Sequence, residues 1–161
     1  MIYEGTHLMV DSVILGRKQS ALHDSRVGVE FLESVAEAVD MTILVPPIAI
    51  NFPHVNSETE KYLKLLDSEG LANSKTAQLI RTQVQTRVEQ THGYTAIMLI
   101  AESHVTIHTF PDERFVTFDC YSCKPFDPDA VMACFDKAFG TKRDDCVNVV
   151  ERRIPVNTTL K

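Results

Sequence analysis

The chain has 161 residues, 44 % of them hydrophobic, which suits one globular domain, residues 1–161, with a sizeable core. Its net charge is −6 and no run of Lys and Arg exceeds a pair, which argues against nucleic acid and anionic membranes as partners, since phosphate binding needs clustered cations. Its four cysteines, Cys120, Cys123, Cys134 and Cys146, include one C-x-x-C without a second pair or a His at zinc spacing, so no metal site is expected. No signal peptide opens the chain and no apolar run reaches membrane-spanning length, so a cytoplasmic protein with free thiols is expected.

In chain order, "HLMVDSVILG" (7–16) reads as a strand closed by Gly16. "DSRVGVEFLESVAEAVD" (24–40) reads as a helix: Asp24 or Ser25 can cap it, and Phe31, Leu32, Val35 and Val39 recur at helical spacing. "MTILVPPIAINF" (41–52) is a second strand, and Pro46 and Pro47, which cannot donate to a ladder, predict an edge or a bulge. Residues 53–92 read as two helices joined around Gly70. Ser57 and Glu60 form a capping box ahead of Tyr62, Leu63 and Leu66, and Leu79 or Ile80, Val84 and Val88 make the second stripe. Three closely spaced strands follow at 94–102, 104–110 and 114–123. "FDPDAVMACFDKAFG" (126–140) is a helix with Asp127 as cap, Pro128 at its first position, Gly140 at its end and Val131, Phe135 and Phe139 on its buried stripe. "CVNVVERRI" (146–154) is a last strand. The pattern predicts an α/β (α+β) two-layer sandwich, one antiparallel sheet with helices on one face.

"IAESHVTIHTFPDERF" (100–115) carries the chemistry. Side chains alternate along a strand, so His104, Thr106, His108 and Phe110 share one face. On the next strand Asp119, Tyr121 and Cys123 alternate against Cys120 and Ser122, and a hairpin through 111–114 makes the two strands neighbours. One reading is a polar-faced hairpin with core cysteines. The other starts from Ser103, between two strands and tightly constrained. A strained peptide beside a serine hydroxyl can undergo N-to-O acyl shift. The ester can then lose its carboxylate by elimination if a base, with His108 the candidate, removes the serine Cα hydrogen. The remaining residue hydrolyses to a pyruvoyl group, a carbonyl electrophile built from the chain.

"AESHVTIHTFPDERFVTFDCYSC" (101–123) resembles the self-processing segment of bacterial and archaeal S-adenosylmethionine decarboxylases: Glu-Ser-His, then Ile-His-Thr, an aromatic, Pro and an acid, then a strand ending in Asp, three residues and Cys. "GTHLMVD" (5–11) resembles the family's opening Gly-x-His strand, and "NFP" (51–53) the end of its second strand, so the resemblance spans roughly 5–52 and 93–153. It implies cleavage between Glu102 and Ser103 into a β chain 1–102 and an α chain 103–161, with Ser103 becoming the pyruvoyl cofactor. It implies His108 as the base of maturation and Cys123 as the proton donor in decarboxylation, leaving Cys120 as a buried structural thiol. A substrate amine would form a Schiff base with the pyruvoyl group, so no pyridoxal phosphate is required. Phe52 and Phe110 occupy the adenine-stacking positions, Asp112 that of the ribose-binding acid, and Thr95 that of a hydroxyl eight residues before the serine. The resemblance further implies a small-molecule substrate, a homodimer of processed αβ protomers and a place in spermidine synthesis.

Three features depart from the family. Phe110 stands where Trp is usual, Asp112 where Glu is usual (shorter by ~1.5 Å of reach), and the helical segment 53–92 replaces a short loop, as a lid, an oligomer contact or a plain excursion. They leave two alternatives open. One is arginine or ornithine decarboxylation, with Asp112, Glu58 or Glu60 receiving the distal cation. The other is a non-processing relative that regulates an active partner.

Overall fold

The computed structural model describes residues 2–52, 57–87, 92–140 and 146–155. Six strands form one antiparallel sheet: β1 (Ile2–Val13), β2 (Ile43–Phe52), β3 (Gly93–Ile100), β4 (Ser103–Phe110), β5 (Phe115–Ser122) and β6 (Cys146–Pro155). Their order is β2-β3-β4-β5-β1-β6. The α-helices are α1 (Ser25–Ala38), α2 (Ser57–Ser68), α3 (Lys75–Arg87) and α4 (Pro128–Phe139), and a 3-10 segment, Gly16–Leu22, leads into α1. The expected two-layer α+β sandwich is what forms, with α1 and α4 packed together on one face of the sheet. No helix among the described residues is long and apolar enough to cross a membrane.

Strand alternation builds the core. Leu8 and Val10, Ala96 and Met98, Val105 and Ile107, and Val116 and Phe118 point toward the helices and are buried. Phe31 of α1 sits at their centre, with ring centroids of Phe118, Phe139 and Phe135 at 4.9, 5.4 and 5.8 Å. Each such fully buried side chain stabilises the fold by roughly 1.5–3 kcal/mol. The caps fall where the sequence places them: Asp24 accepts from the backbone N–H of Arg26, and Asp127 from that of Asp129.

Some boundaries differ from expectation. β1 starts at Ile2 and ends at Val13, and Gly16 (φ +67°) opens the 3-10 segment instead of closing the strand. β2 is an edge strand whose register against β3 shifts between Val45 and Ile48, as Pro46 and Pro47 require. In the helical pair, Ala77 and Leu66 are the buried positions, while Leu79 is exposed. Neither buried residue joins the main core. The side chains of Ser57, Glu58, Glu60, Tyr62 and Val84, and all of Val88, lie outside the described residues.

The face of the sheet turned away from the helices is open in the single chain. Ile48, Ile50, Ile97 and Leu99 on it are between 38 and 54 % exposed.

Candidate active site

β3 and β4 are joined by Ala101 and Glu102 alone, since Ile100 pairs with Ser103. Two-residue hairpins normally place positive φ on the turn residues, usually Gly or Asn. This turn has neither, and the positive φ, +156°, falls on Ser103, a region that non-glycine residues rarely adopt. The turn is tied down on both sides. The N–H of Ala101 donates to Thr42 O at 2.8 Å, the N–H of Thr42 to Glu102 Oε2 at 3.2 Å, and the N–H of Cys123 to the Glu102 carbonyl at 3.0 Å. The carbonyl that a Ser103 hydroxyl would attack is therefore already polarised by a backbone donor.

Around this end of the open face lie three groups that the sequence reading left without a role. His104 Nδ1 is 3.1 Å from Ser103 Oγ. Its Nε2 faces Asp119 Oδ1 at ion-pair distance, 3.4 Å. The other oxygen of Asp119 is held by His7 Nε2 at 2.6 Å. Tyr121 borders both imidazoles, at 5.5 and 6.1 Å between centroids, and the Arg152 guanidinium covers its ring at 4.5 Å. Alternation placed His104 and Asp119 on matching faces, but only the β1–β5 and β4–β5 registers bring them together with His7.

The remaining predicted site residues gather at the opposite end of the same face. Thr95 pairs with His108, and Thr95 Oγ1 lies 2.7 Å from His108 Nδ1. The strands around His108 strip enough water to push its pKa below the ordinary histidine value, against an opposing pull from Asp119. Phe110 rests against Phe115 at 6.0 Å. Asp112, in the turn beyond, meets His92 Nδ1 at 3.1 Å. Phe52, opposite Gly93, lines a shallow cavity of about 440 Å³ with His23, Arg26 and His92.

The predicted residues thus fall into two groups, Glu102, Ser103 and Cys123 at one end and Phe52, Thr95, His108, Phe110 and Asp112 at the other. Five residues of extended strand separate Ser103 from His108 by roughly 16 Å. Among the cysteines, Cys120 is buried as expected, and burial raises its thiol to about 12. β5 ends at Ser122, so strict alternation does not extend to Cys123, which is exposed. The four cysteines are free, and no cluster of metal-ligating residues occurs among the described residues.

A family model described as S-adenosylmethionine decarboxylase matches residues 48–153. The chain is similar to S-adenosylmethionine decarboxylase proenzyme 2 of Bacillus anthracis, 45 % identical over 40 residues, which span 25 % of this chain and about a third, 32 %, of that one. It is 23 % identical over 155 residues to S-adenosylmethionine decarboxylase proenzyme of Clostridium botulinum (strain Loch Maree / Type A3), covering 96 % of this chain and 99 % of the relative. The crystal structure of the adenosylmethionine decarboxylase from Aquifex aeolicus VF5 shares the fold, with a TM-score of 0.59 at 21 % identity over 98 % of this chain and 97 % of that one.

Proposed function

Because the chain belongs to the S-adenosylmethionine decarboxylase family, we propose that it cuts itself between Glu102 and Ser103 and then decarboxylates S-adenosylmethionine. The observation that carries this reading is the hairpin at the scissile peptide: a positive φ on Ser103, beside a Glu102 carbonyl that accepts the Cys123 N–H at 3.0 Å. Backbone strain favours opening the peptide, and the donor favours the oxyanion that attack creates. The products are a β chain 1–102 and an α chain 103–161 whose first residue becomes a pyruvoyl group. Once formed, that group supplies a conjugated carbonyl that takes up the electrons released with carbon dioxide.

The remaining roles follow from position. His108 removes the Cα hydrogen of Ser103 during maturation, with Thr95 holding its Nδ1 at 2.7 Å. Its lowered pKa keeps the imidazole neutral, as a base must be. Cys123, exposed next to the cleavage hairpin, protonates the former α-carbon of the substrate. Phe52 and Phe110 stack on the flat nucleoside, and Asp112 receives its ribose hydroxyls.

One chain cannot unite these roles, because roughly 16 Å of strand separates Ser103 from His108. A homodimer can. If two open faces pack about a two-fold axis, the Ser103 end of each chain meets the His108 end of the other, twice over. The exposed Ile48, Ile50, Ile97 and Leu99 on that face supply the apolar surface such packing needs. Four free thiols suit a reducing compartment, the cytoplasm.

Intact-mass spectrometry tests the cleavage. Fragments 1–102 and 103–161 are expected, the second beginning in pyruvoyl, with Ser103→Ala leaving the chain whole. Release of carbon dioxide is then compared for S-adenosylmethionine, arginine and ornithine. Turnover of an amino acid but not of the nucleoside would overturn the substrate assignment. A single uncut band at 18.1 kDa would make the chain a non-processing relative.

A further inference from the structure

We infer that His104, set by Asp119 and His7, is the base that starts the self-cleavage, a role separate from that of His108; the inference rests on the cleavage reading above. An N-to-O acyl shift needs the Ser103 hydroxyl to lose its proton as it attacks. Among the described residues the imidazole that touches this oxygen is His104, with Nδ1 at 3.1 Å. Its tautomer follows from its other neighbour. A carboxylate only accepts hydrogen bonds, so Asp119, facing Nε2 at 3.4 Å, favours the form with the hydrogen on Nε2. Nδ1 is then the lone pair, turned to the hydroxyl. Asp119 is itself held by His7 at 2.6 Å, so its position does not depend on the group it orients.

The step balances without a further reactant. Ser103 Oγ bonds to the carbonyl carbon of Glu102, and its proton passes to His104 Nδ1. The carbonyl electron pair moves to the oxygen that already accepts the Cys123 N–H at 3.0 Å. When the intermediate collapses, the carbon–nitrogen bond breaks and the same proton returns from Nδ1 to the Ser103 nitrogen. An ester and a free amine result, and His104 is neutral again. His108, at the far end of the strand, belongs to the elimination that follows. His104 is therefore a catalytic residue of the first step, and Asp119 and His7 are positioning residues.

Hydroxylamine cleaves esters, which separates the two steps. Chains are made by cell-free translation, and fragment formation is followed on denaturing gels with and without hydroxylamine. His108→Ala is expected to stall after the first step and to give 1–102 and 103–161 only when hydroxylamine is added. His104→Asn, which keeps a hydrogen-bonding atom near Nδ1 but not a base, is expected to slow both spontaneous and hydroxylamine cleavage by roughly 10²-fold. Free imidazole is expected to speed His104→Gly at least tenfold, a response that a misfolded chain lacks. In the His108→Ala background, Asp119→Asn is expected to slow ester formation about tenfold, with Asp119→Glu restoring part of the rate. A His104→Asn chain that accumulates hydroxylamine-labile ester at the His108→Ala rate overturns the inference alone, as does an imidazole-insensitive His104→Gly. Wild type that stays uncut overturns the cleavage reading and this inference together.

Discussion

A mixed dimer gives the sharpest test of the two-chain site. Ser103→Ala removes the residue that is cut, and His108→Ala removes the proposed elimination base; each variant expressed alone should stay unprocessed. The structure sets the expectation for the mixture. A base must come within ~3 Å of the hydrogen it takes, whereas roughly 16 Å of β4 separates the two residues in one chain. In a two-fold dimer of one Ser103→Ala and one His108→Ala chain, one of the two sites regains both residues. Random pairing puts about half of the His108→Ala chains in such mixed dimers. Co-expression with different tags should therefore process about half of the His108→Ala chains and none of the Ser103→Ala chains, read on a denaturing gel and by mass. No processing in the mixture, while wild type processes fully, would refute the reasoning and place the base within the same chain.

Other expectations follow from packing and charge. Gly28→Ala would put a Cβ 2.3 Å from Cε2 of Tyr94, a ring fully buried and anchored by its hydroxyl to Ala21 O at 3.1 Å, so the variant should lose roughly 1–3 kcal/mol. An unchanged urea midpoint would show that the ring yields freely. Alkylation of the native protein at pH 8 should label Cys123 and Cys146, which are exposed, and spare Cys120, whose buried thiol is raised to about 12. Labelling of Cys120 before unfolding contradicts that burial. His108 titrates below the ordinary value of 6.5 in the fold, so the unfolded chain takes up this proton first. Its contribution is complete above that value and is lost as pH falls from 6.5 toward the folded pKa. The wild type should therefore lose more stability than His108→Asn between pH 7 and 5.5, and equal losses in urea titrations would rule out a lowered pKa at His108.

Much of the architecture was legible because its causes are local. Asp24 and Asp127 cap the helices they precede, Pro128 opens α4, and Phe31, Leu32 and Val35 recur at the spacing that buries one stripe. Strand alternation alone put His104, Thr106, His108 and Phe110 on one face, and Pro46 with Pro47 marked the edge strand. The tightness of the β3–β4 hairpin was equally readable, since two apolar strands follow each other with almost no room for a loop, and Ala101 and Glu102 alone link them.

Tertiary structure decided the rest. Nothing in the local pattern placed β1 between β5 and β6, and that placement carries His7 to Asp119, 112 residues away. Pairing at such separation is settled by which faces bury together, a choice that no short window of sequence contains. The same holds for the division of the site. Five positions look adjacent on the page, and in a helix they would be little more than a turn apart. In a strand rising ~3.3 Å per residue they lie at opposite ends of the sheet, and that extension sends the search for a partner to Ser103 toward a second chain.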